Sequence, residues 1–291
     1  MTSIKTVGVA GSGTMGAGIA IVAARAGFRT IVYDTNTEAL ARARQQTEGF
    51  FAKSVERKKL TQEQVGNILS QLSGSTDMAA LADCDIVIEA VFEDLKVKHA
   101  VLEELNRACP PHAIFASNTS TISITEIAAG SGRPERFVGM HFCLPAQLMR
   151  LVEMSPGLRT SEDTFQTAWD FCKAMGQIPV KTKDHPGFIL NYFLIPFNND
   201  AIRMVEAGVA EPADIDRAIK AGLGYAMGPL ELLDLVGLDT HLLVAEALYA
   251  STHDPRAAVP ALVKRMIAAG KLGRKTGEGF YKYQGNAMFG G

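Results

Sequence analysis

Ile4-Lys5-Thr6-Val7-Gly8-Val9-Ala10, then Gly11-Ser12-Gly13-Thr14-Met15-Gly16, is the stretch on which the fold turns. An alanine-rich run follows (Ile19 to Ala24), and then Thr30-Ile31-Val32-Tyr33-Asp34. The order is strand, glycine turn, helix, strand, acid. A G-x-G-x-x-G match alone is a weak signal, because glycines recur in turns, and a purely structural glycine turn is the alternative reading. Here the glycines follow a β-branched run and open an apolar helix. Asp34 closes the second strand eighteen residues past Gly16. In such a turn Gly11 permits the tight bend, Gly13 lets a pyrophosphate reach the backbone, and Gly16 lets helix and strand pack closely. The helix N-terminus then turns free N–H groups toward the phosphates. Gly11, Gly13, Thr14, Met15 and Gly16 are therefore candidate cofactor-binding residues. A carboxylate at Asp34 accepts from ribose hydroxyls and repels a 2′-phosphate, which favours NAD over NADP.

Working outward, 291 residues suggest about two domains, and a hydrophobic content of 47% supports a substantial core. A net charge of -2 gives no nucleic-acid footprint. No apolar run reaches the roughly 18 residues of a membrane span. Met1-Thr2-Ser3-Ile4-Lys5 leads straight into the first strand, so no targeting segment is expected. Cys84, Cys109, Cys143 and Cys172 are scattered without a C-x-x-C, so a reducing cytoplasm and no metal site are expected.

The expected fold class is a doubly wound α/β Rossmann domain over residues 1–184, mostly parallel, followed by an all-α domain over 185–291. Fifty residues (35–84) separate the second strand from the next expected one, Asp85 to Ala90. A simple crossover needs about 10–12, so this segment is read as a protruding helical hairpin, with helices to about Lys59 and from Thr61 to about Leu72. Its tip is basic: Lys53, Arg57, Lys58 and Lys59. A solvated helix face is the ordinary meaning of such a run, and a phosphorylated ligand is the sharper one. Ala113 to Ala116 is a short strand leading into Ser117-Asn118-Thr119-Ser120-Thr121. That run is either a helix cap or a ligand-facing loop at a strand's C-terminal end. Phe137 to Phe142 and Leu151 to Met154 are strands that can pair side by side and bring His141 near Glu153. Ile178 to Val180 is the last strand. Asp184-His185-Pro186-Gly187 punctuates the boundary. Beyond it only helices are expected, with Asn191 early in the first. The tail Gly285 to Gly291 is read as disordered. Leu230, Leu232, Leu233, Leu235, Leu242, Leu243, Val244 and Leu248 offer more apolar surface than a small helix cluster buries, which predicts a dimer interface.

A nicotinamide-binding half beside a polar histidine suggests hydride transfer coupled to proton transfer. His141 is the candidate base, since an imidazole can accept a hydroxyl proton at physiological pH. Glu153 would hold its other ring nitrogen and fix the tautomer. Ser120 and Asn191 could hydrogen-bond the substrate oxygen. A satisfied core histidine is the alternative.

The chain resembles the 3-hydroxyacyl-CoA dehydrogenases over nearly its full length. The resemblance is carried by Gly11 to Ala20, Ile88 to Lys98, Ala116 to Thr121, Arg136 to Phe142, Leu151 to Glu153, Pro186 to Asn191, Met227 to Pro229, Gly237 to Thr240 and Gly273 to Tyr281. It implies a Rossmann domain followed by a helical dimerisation domain, an acyl-CoA substrate, NAD as cofactor, and a place in fatty acid metabolism. It implies His141 as catalytic base, Glu153 as its partner, and Ser120 and Asn191 as further catalytic-site residues, with Ser120 also touching substrate. Asp34, Glu93, Lys98 and Lys275 are implied cofactor contacts, and Lys58 a coenzyme A contact. Departures stand at Cys143-Leu144, where the family usually has Phe-Asn, at Ala146-Gln147, at Tyr192, at Ala226 and at Phe51. They leave open a different β-hydroxy acid or an unusual acyl-CoA as substrate, or a non-catalytic, crystallin-like relative.

Overall fold

In a computed structural model, which describes residues 4–283, the chain forms two compact units that divide between His185 and Pro186. The expected tail at 285–291 lies outside the described residues.

The first unit is an eight-stranded sheet. Its core begins with β1 (Thr6–Ala10), α1 (Thr14–Arg25) and β2 (Arg29–Tyr33). Every residue of β1 is buried, as suits a central strand covered on both faces. In α1 the run Gly16 to Ala24 is buried; its small side chains allow the helix to lie close on the sheet. The chain continues through α2 (Thr37–Glu56) and α3 (Gln62–Ser70) to β3 (Leu72–Ser75). It then runs through β4 (Ile86–Glu89), α4 (Leu95–Ala108), β5 (Ile114–Ser117), α5 (Ile124–Ala129), β6 (Phe137–Phe142), β7 (Leu151–Pro156), α6 (Glu162–Ala174) and β8 (Ile178–Lys181).

The sheet order is β3-β2-β1-β4-β5-β6-β7-β8. Every pairing is parallel except β6 with β7. The order reverses between β1 and β4, and the crevice outside the carboxyl ends at such a switch point is where doubly wound sheets bind ligands.

The long segment after β2 corrects one expectation. The helical hairpin is present as α2 and α3, but the chain then returns to the sheet as β3 before β4. This edge strand, Leu-Ser-Gly-Ser, is short and only half-buried, with no hydrophobic alternation to announce it. Its register with β2, Thr30 to Tyr33 against Leu72 to Ser75, decides it instead. Nor does the hairpin stand free: Phe51, near the turn between its helices and fully buried, packs with Ile21 of α1 and Val65 of α3. The tip residues Arg57, Lys58 and Lys59 are exposed.

The second unit is helical, with α7 (Leu190–Glu206), α8 (Pro212–Leu223), α9 (Pro229–Val236), α10 (Leu238–Thr252) and α11 (Ala261–Ala268). Its main core holds Ile202, Ile215, Leu230, Leu233, Leu238 and Val263. Buried carboxylates tie the C-terminal loop down. Asp216 accepts from the Tyr281 hydroxyl at 2.6 Å, and Asp234 accepts from the Phe280 and Tyr281 N–H groups at 2.9 Å each.

Candidate active site

The glycine turn sits at the switch point. Gly11 has φ 102°, and a Cβ there would fall 2.6 Å from the Ala90 carbonyl oxygen, so only glycine lets β1 and β4 end this close. At Gly16 an added Cβ would lie 1.8 Å from the Gly11 carbonyl oxygen. Gly13 is the opposite case: nothing lies within 4 Å of a Cβ built there. It is the N-cap of α1 and supplies no side-chain acceptor, and the first turn carries no acid. The helix thus opens with N–H groups unscreened by its own side chains, an arrangement that suits a phosphate. Thr14 is exposed and Met15 half-buried against the core.

Asp34 follows β2. Its Oδ2 accepts from the Ser12 N–H at 2.8 Å and the Ser12 hydroxyl at 2.7 Å, and its Oδ1 accepts from the Asn36 N–H at 2.9 Å. Burial alone would raise this carboxyl, but the Ser12 and Asn36 hydrogen bonds outweigh it and hold the group below its ordinary value. A fixed carboxylate beside the glycine turn fits a ribose diol. These features match what a bound NAD requires.

His141 and Glu153 face one another across the antiparallel β6–β7 pair. His141 Nδ1 lies 2.9 Å from Glu153 Oε2, and His141 Nε2 lies 3.1 Å from Ser120 Oγ. A carboxylate only accepts, so Nδ1 carries its proton toward Glu153, and in the neutral ring Nε2 is then the acceptor. Both residues are buried, His141 at 6% and Glu153 at 1% exposure. Next to them, burial above all, with Glu153 adding to it, pushes the Cys143 thiol up to about 12, so it stays protonated at neutral pH.

Ser120 is held by Glu93. Glu93 Oε1 accepts from Thr119 Oγ1 at 2.6 Å, the Ser120 N–H at 2.9 Å, the Thr121 N–H at 3.0 Å and Thr121 Oγ1 at 3.1 Å. Burial works to raise this carboxyl, yet Lys98 and the Thr119 hydroxyl prevail and lower it. Asn118 accepts from the Phe142 N–H at 2.9 Å and links this loop to the end of β6. The run 117–121 is therefore not the cap of α5. That role falls to Ser123, which accepts from the Glu126 N–H, and to Asp184, which accepts from the Ile124 and Thr125 N–H groups at 2.8 and 2.9 Å.

The line Ser120–His141–Glu153 runs from the loop after β5, across the end of β6, to β7. A separate cavity of about 540 Å³, lined by Ala20, Val32, Leu40, Thr47, Leu72 and Ser75, sits between α1, α2 and the β2–β3 edge. It holds none of these polar groups.

The sequence comparisons agree with the geometry. A family model described as the NAD binding domain of 3-hydroxyacyl-CoA dehydrogenase matches residues 6–185, and one for that family's C-terminal domain matches residues 187–283. The chain belongs to the 3-hydroxyacyl-CoA dehydrogenase family. It is an NAD-dependent oxidoreductase of that family. A probable 3-hydroxybutyryl-CoA dehydrogenase of Deinococcus radiodurans is 43% identical over 276 residues, which cover 95% of this chain and 99% of that relative. The mitochondrial hydroxyacyl-coenzyme A dehydrogenase of Homo sapiens is 42% identical over 288 residues, covering 97% of this chain and 92% of the human protein. The crystal structure of (S)-3-hydroxybutyryl-CoA dehydrogenase PaaH1 from Ralstonia eutropha superposes with a TM-score of 0.89 at 40% identity, over 97% of this chain and all 100% of that one.

Within this dehydrogenase the first unit gathers Gly11, Gly13, Gly16, Asp34, Glu93, Ser120 and His141 along the C-terminal ends of β1, β2, β4, β5 and β6, with Glu153 opposite His141 on β7. Lys98 is also there, but its side chain is buried and its ammonium is turned to Glu89 and Glu93. Lys58 stands exposed on the turn after α2, with φ 56°. Asn191 and Lys275 belong to the second unit. Asn191 lies in the first turn of α7 and is half-buried, and Lys275 donates to both Asp239 oxygens at 2.6 Å. Sequence reasoning passed over Ser12, Glu89 and Asp184. The clearest missed signal was Glu89, a carboxylate closing an otherwise apolar strand.

Among the described residues, no helix is long and apolar enough to cross a membrane.

Proposed function

We propose that this protein oxidises (S)-3-hydroxyacyl-CoA thioesters, 3-hydroxybutyryl-CoA among them, to 3-oxoacyl-CoA, with His141 as the general base. The observation that carries this reading is the continuous line Ser120 Oγ, His141 Nε2, His141 Nδ1, Glu153 Oε2, with neighbouring separations of 3.1 and 2.9 Å. Bound NAD supplies the hydride acceptor. The protein's own task is the proton. His141 Nε2 takes the proton of the substrate hydroxyl as its carbon becomes a carbonyl. Glu153 keeps the Nδ1 proton in place and stabilises the imidazolium that results. Ser120 hydrogen-bonds the same oxygen and holds it against Nε2.

Gly11, Gly13, Thr14, Met15, Gly16, Asp34 and Glu93 serve the dinucleotide in this reading. Lys58, exposed and left-handed at the basic hairpin tip, serves coenzyme A as a charge for its phosphates. Asn191 as a substrate donor and Lys275 as a cofactor contact rest on the resemblance alone. Of the apolar residues expected at an interface, Leu230, Leu233 and Leu248 are buried in the unit's own cores, Leu232, Leu235, Leu242 and Val244 are half-buried, and Leu243 alone is exposed. Support for a homodimer through this unit comes instead from its exposed Phe193, Met204, Val209 and Leu223, each at least 41% accessible. A panel of NAD-linked assays tests the function, with 3-hydroxyacyl-CoA thioesters of increasing length set against free 3-hydroxy acids. Turnover of the thioesters is expected. Turnover of free hydroxy acids alone would overturn the assignment, as would none at all.

A further inference from the structure

Glu89, at the end of β4, is completely buried, and so is Lys98 in the first turn of α4, at 0% and 1% exposure. Lys98 Nζ donates to both Glu89 oxygens, at 2.9 and 3.0 Å, and lies 3.2 Å from Glu93 Oε2. Glu89 also accepts from the Ser117 hydroxyl and, at 3.2 Å, from the Val91 N–H. The pair is thus saturated from within. Burying two charges costs free energy that a packed apolar pair would not, so such a pair is weak evidence for a role in stability.

What the pair does geometrically is specific. Glu93 lies on an irregular loop and its side chain is 36% exposed, so alone it would sample several rotamers. Lys98 pins its Oε2. That leaves Oε1 aimed at the two successive N–H groups of Ser120 and Thr121. Ser120 Oγ then reaches His141 Nε2.

We propose that Glu89 and Lys98 are positioning residues for Ser120: Glu89 orients Lys98, Lys98 orients Glu93, and Glu93 sets the backbone from which the serine hydroxyl meets the base. Lys98 therefore acts through Glu93, in place of the direct cofactor contact that the family resemblance implies. The proposal rests on the dehydrogenase reading above.

The test is a double-mutant cycle of Lys98→Met with Ser120→Ala, accompanied by Glu89→Gln, all in the full-length protein. Lys98→Met is expected to lower kcat by about tenfold or more, with KM for NAD shifting less than about threefold. In the Ser120→Ala background the Lys98 effect on kcat should vanish. Glu89→Gln should follow Lys98→Met in direction and in coupling. A large rise in KM for NAD with kcat intact would make Lys98 a cofactor contact and overturn the proposal, as would kcat losses that add. Should Lys98→Met fail to fold, Glu93→Gln enters the same cycle, since it keeps the side-chain shape and lies partly exposed. Amide hydrogen exchange supplies a readout independent of turnover. Residues 119–121 should exchange faster in Glu89→Gln while β4 and β5 stay protected, and unchanged exchange at 119–121 would sink the positioning role. If the wild-type protein turns over no thioester, the assigned function fails, and the exchange experiment still decides the positioning claim.

Discussion

His141 and Glu153 stand directly opposite one another on β6 and β7, with Nδ1 and Oε2 2.9 Å apart. The sheet makes this contact. In an antiparallel pair, opposed residues point to the same face and their Cβ atoms come within about 5 Å. The single antiparallel pairing of the sheet is therefore what gives His141 its carboxylate.

His141→Ala should lower kcat by roughly two to four orders of magnitude. Glu153→Gln is nearly isosteric but can donate to Nδ1 and favour the wrong tautomer, so kcat should again fall by roughly two orders of magnitude or more. Steady-state kinetics with a 3-hydroxyacyl-CoA and NAD measure both. An unchanged kcat in Glu153→Gln would remove the tautomer argument.

The glycine turn separates folding from binding. Gly13→Ala meets nothing within 4 Å and should fold normally, while KM for NAD rises about tenfold because the methyl group occupies the phosphates' approach. Gly16→Ala would place Cβ 1.8 Å from a backbone oxygen and should abolish soluble folded protein. Circular dichroism beside NAD titration distinguishes the two. Normal NAD affinity in Gly13→Ala would argue that the turn is only structural.

In the proposed reading Asp34 discriminates between NAD and NADP. Asp34→Ser replaces the charged, two-oxygen ribose acceptor with a shorter neutral hydroxyl and removes the repulsion of a 2′-phosphate, so kcat/KM should fall for NAD and rise for NADP, shifting their ratio by roughly a hundredfold. A ratio that stays constant would locate the discrimination elsewhere.

Glu93 should govern part of the acid stability. Its folded-state pKa is lowered from 4.5 by Lys98 and its hydrogen bonds, which overcome the opposing effect of burial. A depressed carboxyl contributes stability that is fully present above the unfolded value and is lost as pH falls through the folded one. Tm of the wild type should therefore hold at neutral pH and decline below about 4.5, and Glu93→Gln should flatten that decline. Lys98, raised from 10.5 by Glu89 and Glu93 against burial, works in the opposite sense: its contribution is full below 10.5 and is lost above its folded value. An acid limb identical in wild type and Glu93→Gln would refute the linkage.

Much of this was legible in the residues themselves. The glycine spacing, the apolar run of β1 and the acid after β2 are local features, because turn sterics and strand burial act over a few neighbours. The punctuation at Asp184 to Gly187 coincided with the division between the units. The edge strand β3 was not legible, because Leu-Ser-Gly-Ser has no alternation of its own and exists by pairing with β2.

The sequence by itself determined that a dinucleotide turn, a carboxylate and a histidine would lie at strand ends, since each is written in a contiguous run of residues. Only the tertiary structure decided that Glu93, twenty-seven residues before Ser120, holds that serine's backbone, and that Glu89 and Lys98 stand behind it. Those partners are fixed by the lateral order of β4 and β5 and by how α4 leaves the sheet. Long-range packing sets such neighbours, and no local spacing encodes them.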